Sequence, residues 1–268
     1  MFLDHFLEWS AGCLSDSDEA RSYLLGRGVS DFQVIRHRIG FAGGDYIPEI
    51  GRDPAHSSSC GDMDLRNSWC DSCRFLRWST KWVKESEDED DRQKVAVPGR
   101  KLFGCVVFPL TSYSGSVVGI QIRSLVEKEY DTFLLKRRPE GYFFGANTAV
   151  QSIWARKEVF VVEGAPDHLV FERLVAPNVV ALTTSSPSRD QVRFLRRFAS
   201  SVNMCLDMDK AGRDGFAAFF SRNSSRMKVR DVRYPCQKPK EKDLGDFWKR
   251  AGDDAFREYF RQKIESEF

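Results

Sequence analysis

The sequence contains no apolar run approaching the ~18 to 20 residues that a membrane-crossing helix requires. Its start, MFLDHFLEW, carries an acid where a secretory signal would carry positive charge. Both absences point to a cytoplasmic protein with no membrane partner. Disulfide patterning is also missing. Seven cysteines, an odd number at scattered positions, suit reduced thiols or a metal site better than a disulfide framework. Nor does one sign of charge dominate: the formal net charge of +2 conceals acids gathered in ESEDEDD (Glu85 to Asp91) and bases gathered in LLKRRPE and RFLRRF. Nucleic acid is therefore permitted as a partner, though not implied by charge. What is present is apolar material. At 268 residues, 41% hydrophobic and 13% aromatic, the chain can build one large or two modest domains with real cores.

The second half alternates between two periodicities. VFVVE is a short β-branched run, VVALT, VNMCLD and VRDVRY read as further strands, and between them lie segments with apolar residues at helical spacing. In SRDQVRFLRRFA, Val192, Leu195 and Phe198 fall on one face and Arg193, Arg196 and Arg197 on another. This order predicts an α/β fold with a parallel sheet and covering helices. The first half is less regular. SYLLGRGVS and FQVIRHRIGFA read as a helix, a turn and a strand, and CVVFPL with SVVGIQIRSL reads as a hairpin turning at SYSGS. An α+β subdomain over 1–150 is expected, with a polar, cysteine-containing insertion at 43–99 whose acidic run reads as a solvated loop. The parallel-sheet domain is expected over 151–250 and a C-terminal helix over 251–268.

Acids mark the ends of the predicted strands. Glu163-Gly164 closes the first and Asp207-Met208-Asp209 the third, at the carboxyl edge where open α/β sheets place their ligands. Asp207 and Asp209 stand two apart, so on extended backbone both project the same way and can converge on one cation. Carboxylates brought together repel unless a hard cation neutralises them, and Mg²⁺ accepts such oxygens while keeping waters for substrate phosphates. The chemistry this arrangement suits is phosphoryl transfer. Gly164 and Gly212 allow a sharp turn or a close approach to phosphate.

VVEGAPD, LDMDKAGRDG and KEKDLGDFW together resemble the TOPRIM domain of DnaG-type and phage primases, a Rossmann-like parallel sheet. The resemblance implies that Glu163 acts as acid, base or metal ligand and that Asp207 and Asp209 hold Mg²⁺ or Mn²⁺. Asp167 matches a further acid of that family and Asp243 the acid of the downstream K-D motif, a fourth candidate metal residue. TOPRIM domains also occur in nucleases, so the first half decides between reactions. RSYLLGRGVSDFQVIRHRIGFA and LFGCVVFPLTSYSGSVVGIQIRSL resemble the segments that open the DnaG-type polymerase core. A DNA primase is therefore expected, making short RNA primers on single-stranded DNA from nucleoside triphosphates beside a separate replicative helicase. A metal-dependent nuclease and a catalytically idle nucleic-acid-binding module are the alternatives.

In that family, template and nucleotide bind between the first subdomain and the TOPRIM sheet. Arg123 and Lys128 match basic residues of that surface, Lys136, Arg137 and Arg138 extend the positive charge, and Lys210 follows the D-x-D pair. Phosphate contacts from such residues give salt-sensitive, sequence-independent binding. The chain departs from the family in several places. No zinc domain is expected before residue 20 and no helicase-binding bundle after 268, a Walker A motif is missing, and Phe144 replaces the basic residue often found before the glycine at 145. Finally, His56, Cys60, Cys70 and Cys73 form H-x3-C-x9-C-x2-C, a sufficient ligand set for a tetrahedral Zn²⁺ site, while Cys13, Cys105 and Cys205 read as core residues.

Overall fold

A computed structural model describes residues 2–46, 70–84, 94–136, 141–237 and 241–267. Along the chain the elements are α1 (Phe2–Ser15), α2 (Asp18–Gly26), α3 (Asp31–Arg36), β1 (Gly40–Ala42), α4 (Asp71–Ser79), β2 (Lys81–Lys84), β3 (Lys94–Val97), β4 (Cys105–Ser112), β5 (Val117–Ser124), β6 (Tyr130–Leu134) and β7 (Tyr142–Phe143). There follow α5 (Ala146–Arg156), β8 (Glu158–Val162), α6 (Ala165–Leu174), β9 (Val179–Ala181), α7 (Arg189–Phe198), β10 (Ser201–Cys205), α8 (Lys210–Asn223), β11 (Lys228–Asp231) and α9 (Leu244–Glu267). They divide into two compact units: Met1–Ser22 with Arg38–Pro109 and Gly119–Arg138, and Tyr23–His37 with Leu110–Val118 and Pro139–Phe268.

The first unit is built on antiparallel pairing. Its sheet runs in the order β1-β4-β5-β6, with Phe41 opposite Val106 and Ile120 opposite Phe133. Helix α1 buries Phe2, Leu3, Phe6, Leu7 and Leu14, one stripe at helical spacing. The amphipathic α4 adds Phe75, which is fully buried with ring centroids 5.4, 5.3 and 5.1 Å from those of Phe2, Phe6 and Phe133. Each buried phenylalanine contributes roughly 1.5–3 kcal/mol of transfer free energy, so this aromatic group adds substantially to the unit's cohesion. The predicted hairpin of β4 and β5 is present; its turn, which belongs to the second unit, closes with the Ser112 N–H donating to the Ser116 carbonyl at 3.0 Å.

The second unit holds the predicted parallel sheet, in the order β11-β10-β8-β9 and parallel throughout. Alternation along β8 sorts its side chains onto two faces. Val159 and Val161 enter a core with Ala149 and Ile153 of α5, Phe194 and Leu195 of α7, and Phe219 of α8. On the opposite face Phe160 meets Phe171 of α6 at 5.0 Å, and Phe171 meets Phe260 of α9 at the same separation. A sheet covered on both faces explains why β8 and β9 are continuously apolar over residues 159–162 and 179–181. One expectation is corrected. Phe32 to Arg36, taken from the sequence as part of a strand, is helix α3. Ser30 caps it, accepting from the Gln33 N–H at 3.3 Å while Gln33 Oε1 accepts from the Ser30 N–H at 3.3 Å, and this capping box outweighs the apolar alternation of Phe32 and Val34.

Candidate active site

The site grows out of the carboxyl ends of β8 and β10. Val162 is the last paired residue of β8, opposite Cys205, so Glu163 and Asp207 emerge together just beyond the adjacent strands. Asp209 is the N-cap of α8, and its Oδ1 accepts from the Gly212 N–H at 3.0 Å. Capping and the helix dipole hold its pKa below the usual carboxylate value, chiefly through that amide. Gly212 is demanded by contact, because a Cβ there would stand 2.1 Å from the Asp207 carbonyl oxygen.

The other acids are perturbed upward. Burial, then the charge of Glu163, pushes Asp207 to about 7 although Lys242 pulls the other way. Burial and then Asp209 raise Glu163, whose Oε2 is buried with no hydrogen-bond partner. Lys242 Nζ stands between the aspartates, 3.3 Å from Asp207 Oδ2 and 3.4 Å from Asp209 Oδ2. Burial opposes the lysine's charge, and the two aspartates outweigh it, so its pKa rises. The Lys242 carbonyl is itself fixed by the Met208 N–H at 2.7 Å and the Tyr234 hydroxyl at 3.0 Å.

Behind this group lie two further acids. Asp167 is buried, accepting from the Gly245 N–H at 3.0 Å and the Gly164 N–H at 3.3 Å, and burial with the charges of Asp243 and Asp207 moves its pKa well up. Asp243 accepts from the Asp246 N–H at 2.6 Å, and its second oxygen is 3.8 Å from Arg27 Nη1. Burial is the main cause of its raised pKa. An all-oxygen donor set, a buried orphan carboxylate oxygen, and burial with mutual repulsion together strong enough to raise Asp207 to about 7 fit a hard divalent cation. Lys242 is the member that sequence reasoning missed. Its only signal is that it precedes Asp243 in the K-D motif.

The predicted basic residues are placed as follows. Lys210 is exposed and pairs with Asp214 at 2.7 Å, one helical turn on. In the first unit, the Arg123 guanidinium donates to the Lys128 carbonyl and lies 4.5 Å from the Tyr130 ring centroid, and Lys128 adopts a left-handed φ of +55°. The Lys136 N–H donates to Asp71 Oδ1 at 2.8 Å. Lys136 also lines an open groove of about 950 Å³ with Arg74, Arg77, Trp78, Lys101 and Phe133. Arg137 and Arg138 lie outside the described residues, as do His56 and Cys60 of the cysteine cluster. Cys70 and Cys73 are buried, and Cys70 caps α4, its Sγ accepting from the Cys73 N–H at 3.4 Å. Cys105 and Cys205 are buried as expected, whereas Cys13 is half-buried.

Residues 160–248 match the model of a family described as Toprim-like. The DNA primase of Clostridium acetobutylicum is 24% identical over 250 residues, covering 91% of this chain and 37% of that protein. The DNA primase of Escherichia coli K12 is 29% identical over 196 residues, covering 73% of this chain and 31% of that protein. The chain thus spans about a third of the length of such relatives. Among solved structures, the Aquifex aeolicus primase comprising zinc-binding and RNA polymerase domains superposes with a TM-score of 0.70 at 22% identity, covering 99% of this chain and 60% of that one. A DnaG primase catalytic domain bound to single-stranded DNA gives 0.67 at 21%, covering 97% of this chain and 79% of that one. The chain carries a TOPRIM domain, and its fold resembles that of the DnaG primase catalytic core. Among the described residues, no helix is long and apolar enough to cross a membrane.

Proposed function

We propose that the chain is the catalytic part of a DNA primase, joining ribonucleotides into short primers along single-stranded DNA, with Glu163, Asp207 and Asp209 as its catalytic residues. The observation that carries this reading is the meeting of three acids at one strand edge in a fold shared with primase cores. Asp207 and Asp209 would hold Mg²⁺ or Mn²⁺, with Glu163 as a further ligand and Asp243 adding negative charge behind them. When bound, the ion supplies Lewis acidity toward phosphoryl oxygens. Glu163, with its pKa raised and one oxygen free, is suited to take the proton that an attacking 3′-hydroxyl loses. Gly212 fixes the direction of Asp209 through its amide. Lys242 holds the two aspartates together in the absence of a cation.

Template binding falls to the basic residues. In the groove of the first unit, Arg74, Arg77, Lys101 and Lys136 supply charge for phosphates, and Trp78 and Phe133 offer aromatic faces for unstacked bases. Arg123, Lys128, Arg138 and Lys210 are proposed as further phosphate or nucleotide contacts. A separate helicase, and Zn²⁺ at His56, Cys60, Cys70 and Cys73, complete the proposal. The test is incubation with single-stranded DNA, labelled ribonucleoside triphosphates and Mg²⁺ or Mn²⁺. New template-dependent oligomers support the reading; a shortened template with no new product would replace it with a nuclease.

A further inference from the structure

The second unit contains another group of donors, of a different chemical kind. His168 and Glu172 stand four apart on α6 and so share a face, and His37 follows the last turn of α3. One ligand atom from each of the three lies within 4.8 Å of the others. Their side chains are buried: His37 is 2% exposed and Glu172 9%. His37 Nε2 is 2.8 Å from Glu172 Oε2.

His168 is the anomaly. It is completely buried, and neither ring nitrogen has a hydrogen-bond partner. A buried polar group left without a hydrogen-bond partner costs stability, and the imidazole offers two such atoms. Its setting leaves it little freedom to turn elsewhere. It packs edge-on to Phe144 at 5.0 Å and to His37 at 5.2 Å, and it fills the space beside Gly145, where a Cβ would meet its Cε1 at 2.1 Å.

Helix α3 supplies an independent reason to expect a tether. It has only six residues, Phe32 and Ile35 are 68% and 78% exposed, and its buried side chain is the polar Gln33. Apolar burial therefore does little to hold α3, and its anchors are polar. Gln33 Nε2 donates to the Leu169 carbonyl at 2.7 Å and to Glu172 Oε2 at 3.1 Å, and Arg36 Nε is 3.6 Å from Glu172 Oε1.

We propose that His37, His168 and Glu172 form a binding site for one transition-metal ion of the zinc class, which pins α3 to α6. Two imidazoles and a carboxylate are a donor set that Zn²⁺ takes with a water in the fourth position. Nitrogen donors select against Mg²⁺, so this site is chemically distinct from the carboxylate group at the strand edge. Bonds of about 2.0–2.1 Å imply ligand-to-ligand separations of about 3.3 Å. The His37–Glu172 pair opens by roughly half an ångström and the widest separation closes by about 1.5 Å, within the reach of small side-chain rotations. The Gln33 amide orients the carboxylate from outside, as second-layer partners of metal ligands do. Arg36 opposes the ion's charge but faces the other carboxylate oxygen.

The experiment uses the full chain, free of a histidine tag, in a Cys70→Ser/Cys73→Ser background that silences the cysteine cluster. Millimolar Mg²⁺ is present throughout to occupy the carboxylates. Titration with Co²⁺ is expected to give visible absorption saturating at about one equivalent, and Zn²⁺ to displace it and raise the melting temperature. His168→Leu, which replaces the orphan ring with an apolar side chain, and Glu172→Gln are each expected to weaken binding by about tenfold or more. If either variant fails to fold, the parent chain decides alone: no Co²⁺ spectrum and no Zn²⁺-dependent melting shift overturns the site. Equal metal binding by parent and a folded His168→Leu chain overturns it too.

Discussion

Replacing Lys242 with methionine removes the cation shared by Asp207 and Asp209 while keeping most of the side chain's apolar length. At 3.3 and 3.4 Å each contact has a Coulomb energy of about 5 kcal/mol at an effective dielectric of 20. Lys242 is 56% exposed, however, so water and salt screen most of that, and a net loss of about 1–2 kcal/mol is the reasonable expectation. For a chain of this size that corresponds to a melting temperature lower by roughly 2–8 °C in chelator. The loss should be conditional. A divalent cation neutralises the same oxygens, so saturating Mg²⁺ should restore most of the deficit, and Mg²⁺ should bind the variant more tightly because no ammonium has to be displaced. The assay is thermal denaturation of both proteins across a Mg²⁺ series, with calorimetric titration for affinity. Equal destabilisation with and without Mg²⁺, together with unchanged affinity, would refute the argument that the lysine occupies the place of an ion.

Three further outcomes follow from other parts of the molecule. Arg123→Ala should weaken binding to single-stranded DNA and flatten the dependence of log K on log salt by about one phosphate's worth, without altering the melting temperature by more than a degree or two; an unchanged slope places Arg123 off the template path. Phe75→Ala should cost about 3–5 kcal/mol in denaturant unfolding, because it empties the centre of the aromatic group in the first unit; a loss below 1 kcal/mol would mean that the core does not depend on it. Asp253 accepts from both Arg173 and Trp248 Nε1, contacts that hold its pKa down at about 2. Since the folded value lies below the unfolded one, its contribution is complete above about pH 4 and lost as pH falls through 2. Asp253→Asn should thus destabilise at pH 7 by no more than about 1 kcal/mol, given a carboxylate 43% exposed, and the difference should vanish near pH 2; a difference that persists there would assign the effect to packing.

The parts of this molecule legible in the sequence are those where local pattern and burial agree. Strands β8 and β10 lie in the middle of a sheet covered on both faces, so VFVV is continuously apolar and VNMC is apolar but for Asn203, whose buried amide bonds to Glu158 and Arg230. Their carboxyl ends carry the acids, and the short stretch from strand to helix leaves little freedom in where Glu163, Asp207 and Asp209 can go. Helix α3 was misread because FQVIR alternates like a strand, and the hydrogen bonds that decide otherwise belong to Ser30 and Gln33, outside the apolar pattern. Lys242 escaped because it reaches Asp207 and Asp209 from a distant segment, and no spacing rule ties it to them. The same holds for His37, which meets His168 and Glu172 across more than a hundred residues of chain. Nor does any local pattern announce that Leu110–Val118, within one hairpin, belongs with the second unit.

The most direct measurement of the central claim is primer synthesis by Asp207→Asn and Asp209→Asn chains beside the unmodified protein, with circular dichroism confirming that all three fold. Each substitution removes a negatively charged oxygen donor while nearly preserving shape. The account predicts that the unmodified chain makes new oligomers on single-stranded DNA, and that each variant loses more than about a hundredfold in rate, roughly 3 kcal/mol in the barrier. Near-normal primer yield from both folded variants would contradict it.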